Sequence, residues 1–138
     1  MAAMLAGAKE CTSTIEEEGG IILEKDGKYL FVRVRNKHEG TPRAPGLYET
    51  DLAELKDRVL NRVAEGWKFY SSFHTHPSFS PSPSSLDLSE LFTGFKYNVI
   101  YSPKLDLFSF NQWVGNKSIT YYIPTYTLTH LLSHSNEN

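Results

Sequence analysis

The alternation of apolar and polar residues along the chain predicts a mixed set of strands and helices. Two neighbouring strands are separated by a turn at 25–28, which contains an Asp-Gly pair typical of hairpins. Residues 51–66 carry apolar side chains at helical spacing, with Asp51 as the N-cap and Gly66 at the end. Short apolar runs or strand-like alternation recur in six segments, at 21–23, 29–35, 67–76, 97–101, 105–114 and 118–123.

The remaining segments are predicted to be short helices and loops. Residues 1–13 are expected to form one or two helical turns, and a helix is expected from Ser84 to about Phe92. The Ser- and Pro-rich stretch 77–84 does not fit a regular strand or helix, and Pro124 precedes a polar tail. The predicted fold class is therefore α/β (α+β), a mixed central sheet with at least two helices.

Composition and charge narrow the function classes. The 138 residues fit one domain, and 13% aromatic residues supply enough bulk for a packed core. A net charge of −2 argues against nucleic acid or an anionic membrane as a partner, because both need clustered positive charge. No apolar run approaches the roughly 18–20 residues of a membrane span, and the N-terminus lacks the pattern of a signal peptide. The single cysteine, Cys11, excludes an internal disulfide, so we expect a cytoplasmic protein.

Two histidines at the end of the third predicted strand are the first candidates for chemistry. His74 and His76 are two residues apart, so both side chains leave the same face of a strand. Their Cα atoms are then about 6.5–7 Å apart, which allows both imidazoles to reach one metal ion. A pair of ordinary strand histidines would produce the same pattern, so the spacing alone leaves both interpretations open.

Asp87 is a candidate third ligand. It lies eleven residues after His76, in the first turn of a predicted helix that begins at Ser84. Two histidines and one carboxylate suit zinc with a fourth position open to water. Ser84 and Asp87 also form a Ser-x-x-Asp capping pattern, and both roles can hold together.

An acidic triplet before the first strand can supply a general base. Glu16, Glu17 and Glu18 precede Gly19 and the apolar run of that strand. Because the faces of a strand alternate, only one register aims a carboxylate at a metal beside the histidines. We expect at least two of the three glutamates to be ordinary solvated residues.

At these residues the chain resembles the JAMM/MPN (Mov34/JAB-type) zinc metallopeptidases. The family motif consists of a Glu, a long gap, His-Ser/Thr-His, seven residues, Ser, two residues and Asp. His74-Thr75-His76, seven residues from Pro77 to Pro83, Ser84 and Asp87 match it at every fixed position. The sequence around Pro77 also resembles the RadC-type bacterial branch of this family. The family's Glu-x-x-Gly-apolar-apolar pattern matches best when its glutamate is Glu17.

The resemblance implies a fold and a set of roles. The implied fold is cytidine-deaminase-like, a mixed curved sheet flanked by helices in one domain over 1–138. The resemblance covers about 15–123, which we expect to form the core, with mobile extensions at both ends. His74, His76 and Asp87 would hold one zinc ion per chain. Glu17 would act as general base and acid, and Ser84 would hydrogen-bond the oxyanion.

The resemblance also implies a substrate class. A zinc-dependent peptidase or isopeptidase would act on a protein or peptide, with a ubiquitin-like or sulfur-carrier-like tail among the candidates. There is little sequence after Asp87 for the insertion by which deubiquitinating members recognise ubiquitin, which favours a minimal prokaryotic-type enzyme. The loop 36–50, with Arg43 near its tip, is the best candidate for a flap facing the substrate.

Three other functions are alternatives to hydrolysis. A zinc-dependent nucleobase deaminase needs a Pro-Cys-x-x-Cys pair, which a chain with one cysteine cannot supply. A non-catalytic MPN-type scaffold that binds zinc without turnover remains the alternative, although the complete ligand set argues against it. A purely structural metal is disfavoured, because three ligands leave one position open.

Overall fold

A computed structural model of the chain describes residues 2–37, 50–77, 80–84, 87 and 95–133. All six predicted strands are present in this part of the chain, with ends that differ from the predictions by at most two residues. They are β1 (Gly19–Lys25), β2 (Lys28–Arg33), β3 (Lys68–Thr75), β4 (Tyr97–Ser102), β5 (Leu107–Val114) and β6 (Lys117–Pro124). The fold class predicted from the sequence is confirmed.

The helices flank this sheet. The N-terminal helix α1 (Ala2–Glu10) is followed, after β2, by α2 (Leu52–Leu55), a π-helical turn (Lys56–Leu60) and α3 (Asn61–Ala64). Together the last three correspond to the helix predicted over 51–66, and the Asp51 carboxylate accepts the Ala53 N–H at 2.9 Å as an N-cap. The helix predicted after Ser84 falls largely outside the described residues.

The sheet is mixed, with its parallel pair in the middle. The strand order is β2-β1-β3-β4-β5-β6. β3 and β4 are parallel, with Phe73 opposite Val99, and every other neighbouring pair is antiparallel. The C-terminal end of β3 therefore lies inside the sheet, with a hydrogen-bonded neighbour on each side, and this is the end that carries the two histidines.

Each face of the sheet packs against different helices. On one face α1 lies so close that a Cβ atom on Gly7 would come within 2.7 Å of the Phe73 ring. On the opposite face the helix that follows Asp51 places Val59 against β1 and β2. The cluster on the α1 face includes Met4, Ile22, Phe73, Val99, Phe108 and Leu128, and the other includes Ile21, Leu23, Val32, Val34 and Val59.

The core extends beyond residues 15–123 at both ends, so the expected boundaries were too narrow. Met4 of α1 is 5% exposed and Leu128 of a C-terminal helix, α4 (Thr125–Ser133), is fully buried. The tail after Pro124 looked polar, yet Leu128, Leu131 and Leu132 have helical spacing, which was the signal for α4. No helix in the described part of the chain has the length and apolar character needed to cross a membrane.

A β-bulge in β3 corrects the predicted alternation of that strand. Ile22 pairs with Ser71 and Leu23 pairs with Phe69, which leaves Tyr70 as an extra residue. The faces are exchanged at this point, so Phe73 packs on the α1 face whereas Trp67 packs with the opposite cluster. Regular alternation over 67–76 would place Trp67, Phe69 and Phe73 on one face as core residues, but the bulge separates Phe73 from the other two. Phe69 is 41% exposed.

Candidate metal centre

The end of β3 brings two imidazoles together on one face of the sheet. His74 and His76 are 3% and 4% exposed, and their ring centroids are 5.2 Å apart. His76 follows the last residue of the strand, and its backbone N–H still donates to the Tyr101 carbonyl of β4 at 2.9 Å. The backbone on which both side chains stand is therefore part of the hydrogen-bonded sheet.

Asp87 completes a group of three candidate metal ligands with the two histidines. Its Oδ1 lies 3.0 Å from His74 Nε2 and its Oδ2 lies 3.2 Å from His76 Nε2. One ligand atom from each of the three residues lies within 4.8 Å of the other two. The three residues that the sequence predicts as metal ligands thus converge on one point.

Ser84 and Asp87 form two reciprocal hydrogen bonds, which is the capping pattern expected from their spacing. The Ser84 N–H donates to Asp87 Oδ2 at 2.8 Å, and the Asp87 N–H donates to Ser84 Oγ at 3.1 Å. The second bond occupies a lone pair of the Ser84 hydroxyl and not its proton. Because Ser84 is exposed, that proton remains available to a substrate oxygen.

The loop before Ser84 orients His76. The Nδ1 of His76 is 2.9 Å from the Ser80 carbonyl oxygen, which can only accept, so Nδ1 donates this hydrogen bond and Nε2 is the ring nitrogen that faces Asp87. The Ser109 hydroxyl donates to the Pro81 carbonyl at 2.5 Å, and Ser82 Oγ lies 2.8 Å from the Tyr122 hydroxyl. The sequence carried no signal for the last two contacts, because each joins this loop to a strand distant in sequence.

The electrostatics of the site favour an ionised Asp87. Burial raises the pKa of this carboxyl, but hydrogen bonds from His74 and His76, the positive charge of His74 and the Ser84 N–H outweigh burial. The pKa of Asp87 is therefore held well below its ordinary value. An ionised carboxylate beside two imidazoles is the form that binds a divalent metal.

The donor set fits a tetrahedral metal ion with one position left for another ligand. Ligand atoms at about 2.0–2.1 Å from zinc in a tetrahedron are about 3.3 Å apart. The Asp87 carboxylate lies at a comparable distance from both Nε2 atoms, but through different oxygens, Oδ1 to His74 at 3.0 Å and Oδ2 to His76 at 3.2 Å. Two imidazole nitrogens and one carboxylate oxygen suit zinc and other divalent transition metals.

The glutamate triplet is divided between the two faces of the sheet. Gly19 lies opposite His74, and Glu18 exchanges hydrogen bonds with Thr75, so the same register places Glu17 opposite His76. Directly opposed residues of an antiparallel pair share a face, which directs Glu17 toward the metal ligands. Glu17 is 4% exposed.

Glu18 is not the solvated residue that we expected. Its carboxylate accepts the Arg33 guanidinium at 2.5 Å and the Ser13 N–H at 2.9 Å. The side chain is 17% exposed, because α1 and the segment after it cover that face. The acidic run therefore contains two glutamates with defined contacts, Glu17 by register and Glu18 by its ion pair.

Other residues with reactive or charged side chains are not brought to the site in the described part of the chain. Cys11 is fully buried beside Arg33 and Glu18, and burial raises the pKa of its thiol to about 12. His130 is exposed on α4. Arg43 and most of the proposed flap at 36–50 lie outside the described residues, so the flap stays a prediction.

Two comparisons with known proteins bear on this site. A curated malate dehydrogenase of Geobacter metallireducens is 39% identical over 61 residues, which cover 43% of this chain but only 19% of that protein. The chain thus spans less than a fifth of the length of that relative. The profile of the family described as prokaryotic homologs of the JAB domain matches residues 2–114, a span that contains every candidate site residue. The chain therefore belongs to the family of prokaryotic JAB domain homologs.

Proposed function

We propose that this protein is a zinc-dependent metallopeptidase or isopeptidase. The observation that carries the proposal is the convergence of His74, His76 and Asp87, with Glu17 opposite His76 in the strand register. Family membership supports the same reaction class. The site brings together three candidate metal ligands, an acid-base candidate and a hydroxyl donor near the C-terminal end of β3.

Glu17 and Ser84 have different roles in the proposed hydrolysis. A zinc ion at this site would supply Lewis acidity and would lower the pKa of a water molecule toward neutrality. Glu17 takes a proton from the attacking water as the new C–O bond forms, and returns it to the amine nitrogen as the C–N bond breaks. Ser84 donates a hydrogen bond from its hydroxyl to the carbonyl oxygen while that oxygen carries negative charge, and keeps its proton. The products are an amine and a carboxylic acid, and the acid ionises by releasing the second proton of the water, so atoms and protons balance.

Burial of the ligands supports their assigned roles. The imidazoles and the Asp87 carboxylate are shielded from water, which strengthens charge interactions inside the site. Ser84, by contrast, is exposed at the rim, where an incoming carbonyl would first meet the protein. The substrate then enters from the side of Ser84, with its scissile carbonyl between Ser84 and Glu17.

A substrate screen tests the proposal. Wild-type protein loaded with one equivalent of zinc is incubated with fluorogenic peptides and with peptides joined through a lysine ε-amine. Turnover should require zinc, stop on chelation and return when zinc is restored. The alternative, an MPN-type scaffold that binds zinc without turnover, predicts stoichiometric zinc and no hydrolysis by any panel member.

A further inference from the structure

Glu17 lies just outside the regular sheet, which raises the question of what holds its carboxylate in place. The strand β1 begins at Gly19, so the segment before it has no continuous ladder of backbone hydrogen bonds. A carboxylate that moves a proton must keep within about 2.6–3.2 Å of its partner. Some other set of contacts has to fix this segment relative to β3.

Thr75 makes two hydrogen bonds to the neighbouring residue of that segment. The Glu18 N–H donates to Thr75 Oγ1 at 2.9 Å, and the Thr75 N–H donates to the Glu18 carbonyl at 2.8 Å. Thr75 is fully buried. These bonds extend the antiparallel register one residue beyond the pair formed by Gly19 and His74.

The position of Thr75 excludes it from binding the metal directly. It stands between His74 and His76 on β3, so its side chain leaves the opposite face from the two imidazoles. Its hydroxyl instead replaces a backbone carbonyl as the acceptor for Glu18. The same strand thus aims two ligands at the metal and, through the residue between them, holds the glutamate segment.

Asn36 anchors the same segment from the other side. Its Nδ2 donates to the Glu17 carbonyl at 2.9 Å, and the residue is 5% exposed. Asn36 follows β2 and forms an isolated bridge with Thr50, which ties it to the start of the helix region after the loop. The peptide group between Glu17 and Glu18 therefore accepts a hydrogen bond from Asn36 through its carbonyl and donates one to Thr75 through its N–H.

We propose that Thr75 is a positioning residue that fixes the Glu17 carboxylate opposite His76, with Asn36 as a second anchor. This inference rests on the proposed function for its consequence in catalysis, but its geometric content concerns only the placement of Glu17. A threonine with a purely structural role would stabilise β3 without a specific effect on the glutamate.

Matched hydroxyl deletions test the placement. Thr75→Val removes the hydroxyl at nearly constant volume, and Thr75→Ser restores it. Ser71→Ala is the control, because Ser71 is a buried hydroxyl of the same strand whose Oγ donates to the Ser72 carbonyl. Zinc stoichiometry should stay at one per chain in all three variants, since the ligands are unchanged.

Crystal structures of the zinc-loaded variants provide the readout that does not depend on activity. In Thr75→Val the Glu17 carboxylate should be displaced or disordered relative to wild type, and in Thr75→Ser and Ser71→Ala it should not. An unmoved Glu17 in Thr75→Val overturns the proposal. If Thr75→Val does not fold, Asn36→Ala loosens the same segment without touching β3, and an unmoved Glu17 there overturns it equally.

Kinetics on the best substrate of the screen give a second readout. Thr75→Val should lower kcat by about 10²-fold with little change in KM, the scale of a misplaced catalytic group, and Thr75→Ser should recover most of it. The double variant Glu17→Gln/Thr75→Val should be no slower than Glu17→Gln alone, because both changes act through one group. Additive losses would show that Thr75 acts independently of Glu17 and would refute the proposal.

The two hypotheses fail in different ways. Wild-type protein that binds zinc but hydrolyses nothing removes support from the proposed function, and the zinc-loaded structures still decide the placement of Glu17. Wild-type turnover with an unmoved Glu17 in Thr75→Val retains the function and removes the positioning role.

Discussion

His74 and His76 differ from Glu17 in how the fold holds them. The two histidines stand at the end of a central strand that is hydrogen-bonded to β1 on one side and to β4 on the other. Glu17 lies in the segment 11–18, which has no regular secondary structure and is joined to Thr75 and Asn36 by two side-chain hydrogen bonds and one backbone hydrogen bond. The candidate metal ligands thus stand on the backbone of the sheet, whereas the acid-base candidate depends largely on individual side chains.

Because of this difference, we expect mutations at the end of β3 and mutations around the segment 11–18 to have different effects. A strand inside a sheet keeps its place when one side chain is changed, so substitutions there should act only through the atoms that are removed. A segment held by a few side chains can move when any of them is lost. Loss of the histidine side chains at the end of β3 should therefore affect metal content, whereas changes to the segment 11–18 or to the side chains that hold it should affect rate, stability and accessibility.

The largest effect is expected for the strand-borne ligands. The double variant His74→Ala/His76→Ala removes two of three ligands and should lose essentially all bound zinc, since one carboxylate alone binds zinc weakly. Elemental analysis of protein purified without chelator measures this. His130→Ala, an exposed histidine on α4, is the matched control and should retain zinc. Equal zinc in the double variant and the control would place the metal elsewhere.

The next effect concerns Glu17 itself. Glu17→Gln keeps the shape of the side chain and removes its ability to take up a proton, so turnover should fall by about 10²–10⁴-fold. Zinc content should stay unchanged, because Glu17 is not among the ligands. Steady-state kinetics beside Glu16→Gln, which lies on the other face by alternation, provides the comparison. A greater loss in Glu16→Gln would mean that the register is wrong by one residue.

Ser84 is expected to affect both rate and stability. Ser84→Ala removes a hydroxyl donor at the rim and should slow turnover by about 10²–10³-fold. The same change removes the acceptor for the Asp87 N–H and should lower the free energy of unfolding by about 0.5–2 kcal/mol. Kinetics and urea unfolding measure the two effects separately. Full activity combined with reduced stability would limit Ser84 to its capping role.

The ion pair of Glu18 is expected to matter for stability and not for metal binding. Glu18→Gln should lower the free energy of unfolding by about 1–2 kcal/mol, because the partly buried Arg33 loses its charged partner. Urea unfolding beside Glu10→Gln, an exposed glutamate at the end of α1 that should change stability by less than about 0.5 kcal/mol, tests this. Equal stability of the two variants would contradict the expectation.

The reaction rate of Cys11 with a thiol reagent reports whether the segment 11–18 opens. Burial raises the pKa of Cys11 from 9.0 to about 12, which lowers the thiolate fraction at pH 8 by roughly 10³-fold. Because burial raises the pKa of this thiol in the folded state, the stability that the protonated thiol contributes is fully present below about pH 9. That stability is lost as the pH rises toward 12. A thiol reagent at pH 8 should therefore label the native protein far more slowly than the urea-unfolded protein. Rapid native labelling would mean that the segment is not held as the hydrogen bonds indicate.

Local patterns were sufficient to predict much of this protein. Strand alternation and helical spacing depend on residues close together in sequence, and they located all six strands and the helix after Asp51. The spacing of His74 and His76 on one strand placed both imidazoles on one face for the same reason. The Ser84–Asp87 capping pattern is also local, and both of its hydrogen bonds are present.

The tertiary structure decided what depends on a neighbouring strand or helix. The extra residue at Tyr70 exists only relative to β1, so no property of β3 alone predicted that its faces exchange there. The burial of α1 and α4 depends on the apolar surface that the sheet offers them. The contact of Thr75 with Glu18 joins residues 57 apart in sequence, and such contacts form only when antiparallel strands set their register. The sequence by itself therefore determined which residues can bind a metal, whereas the packing of β1 against β3 decided which glutamate faces them.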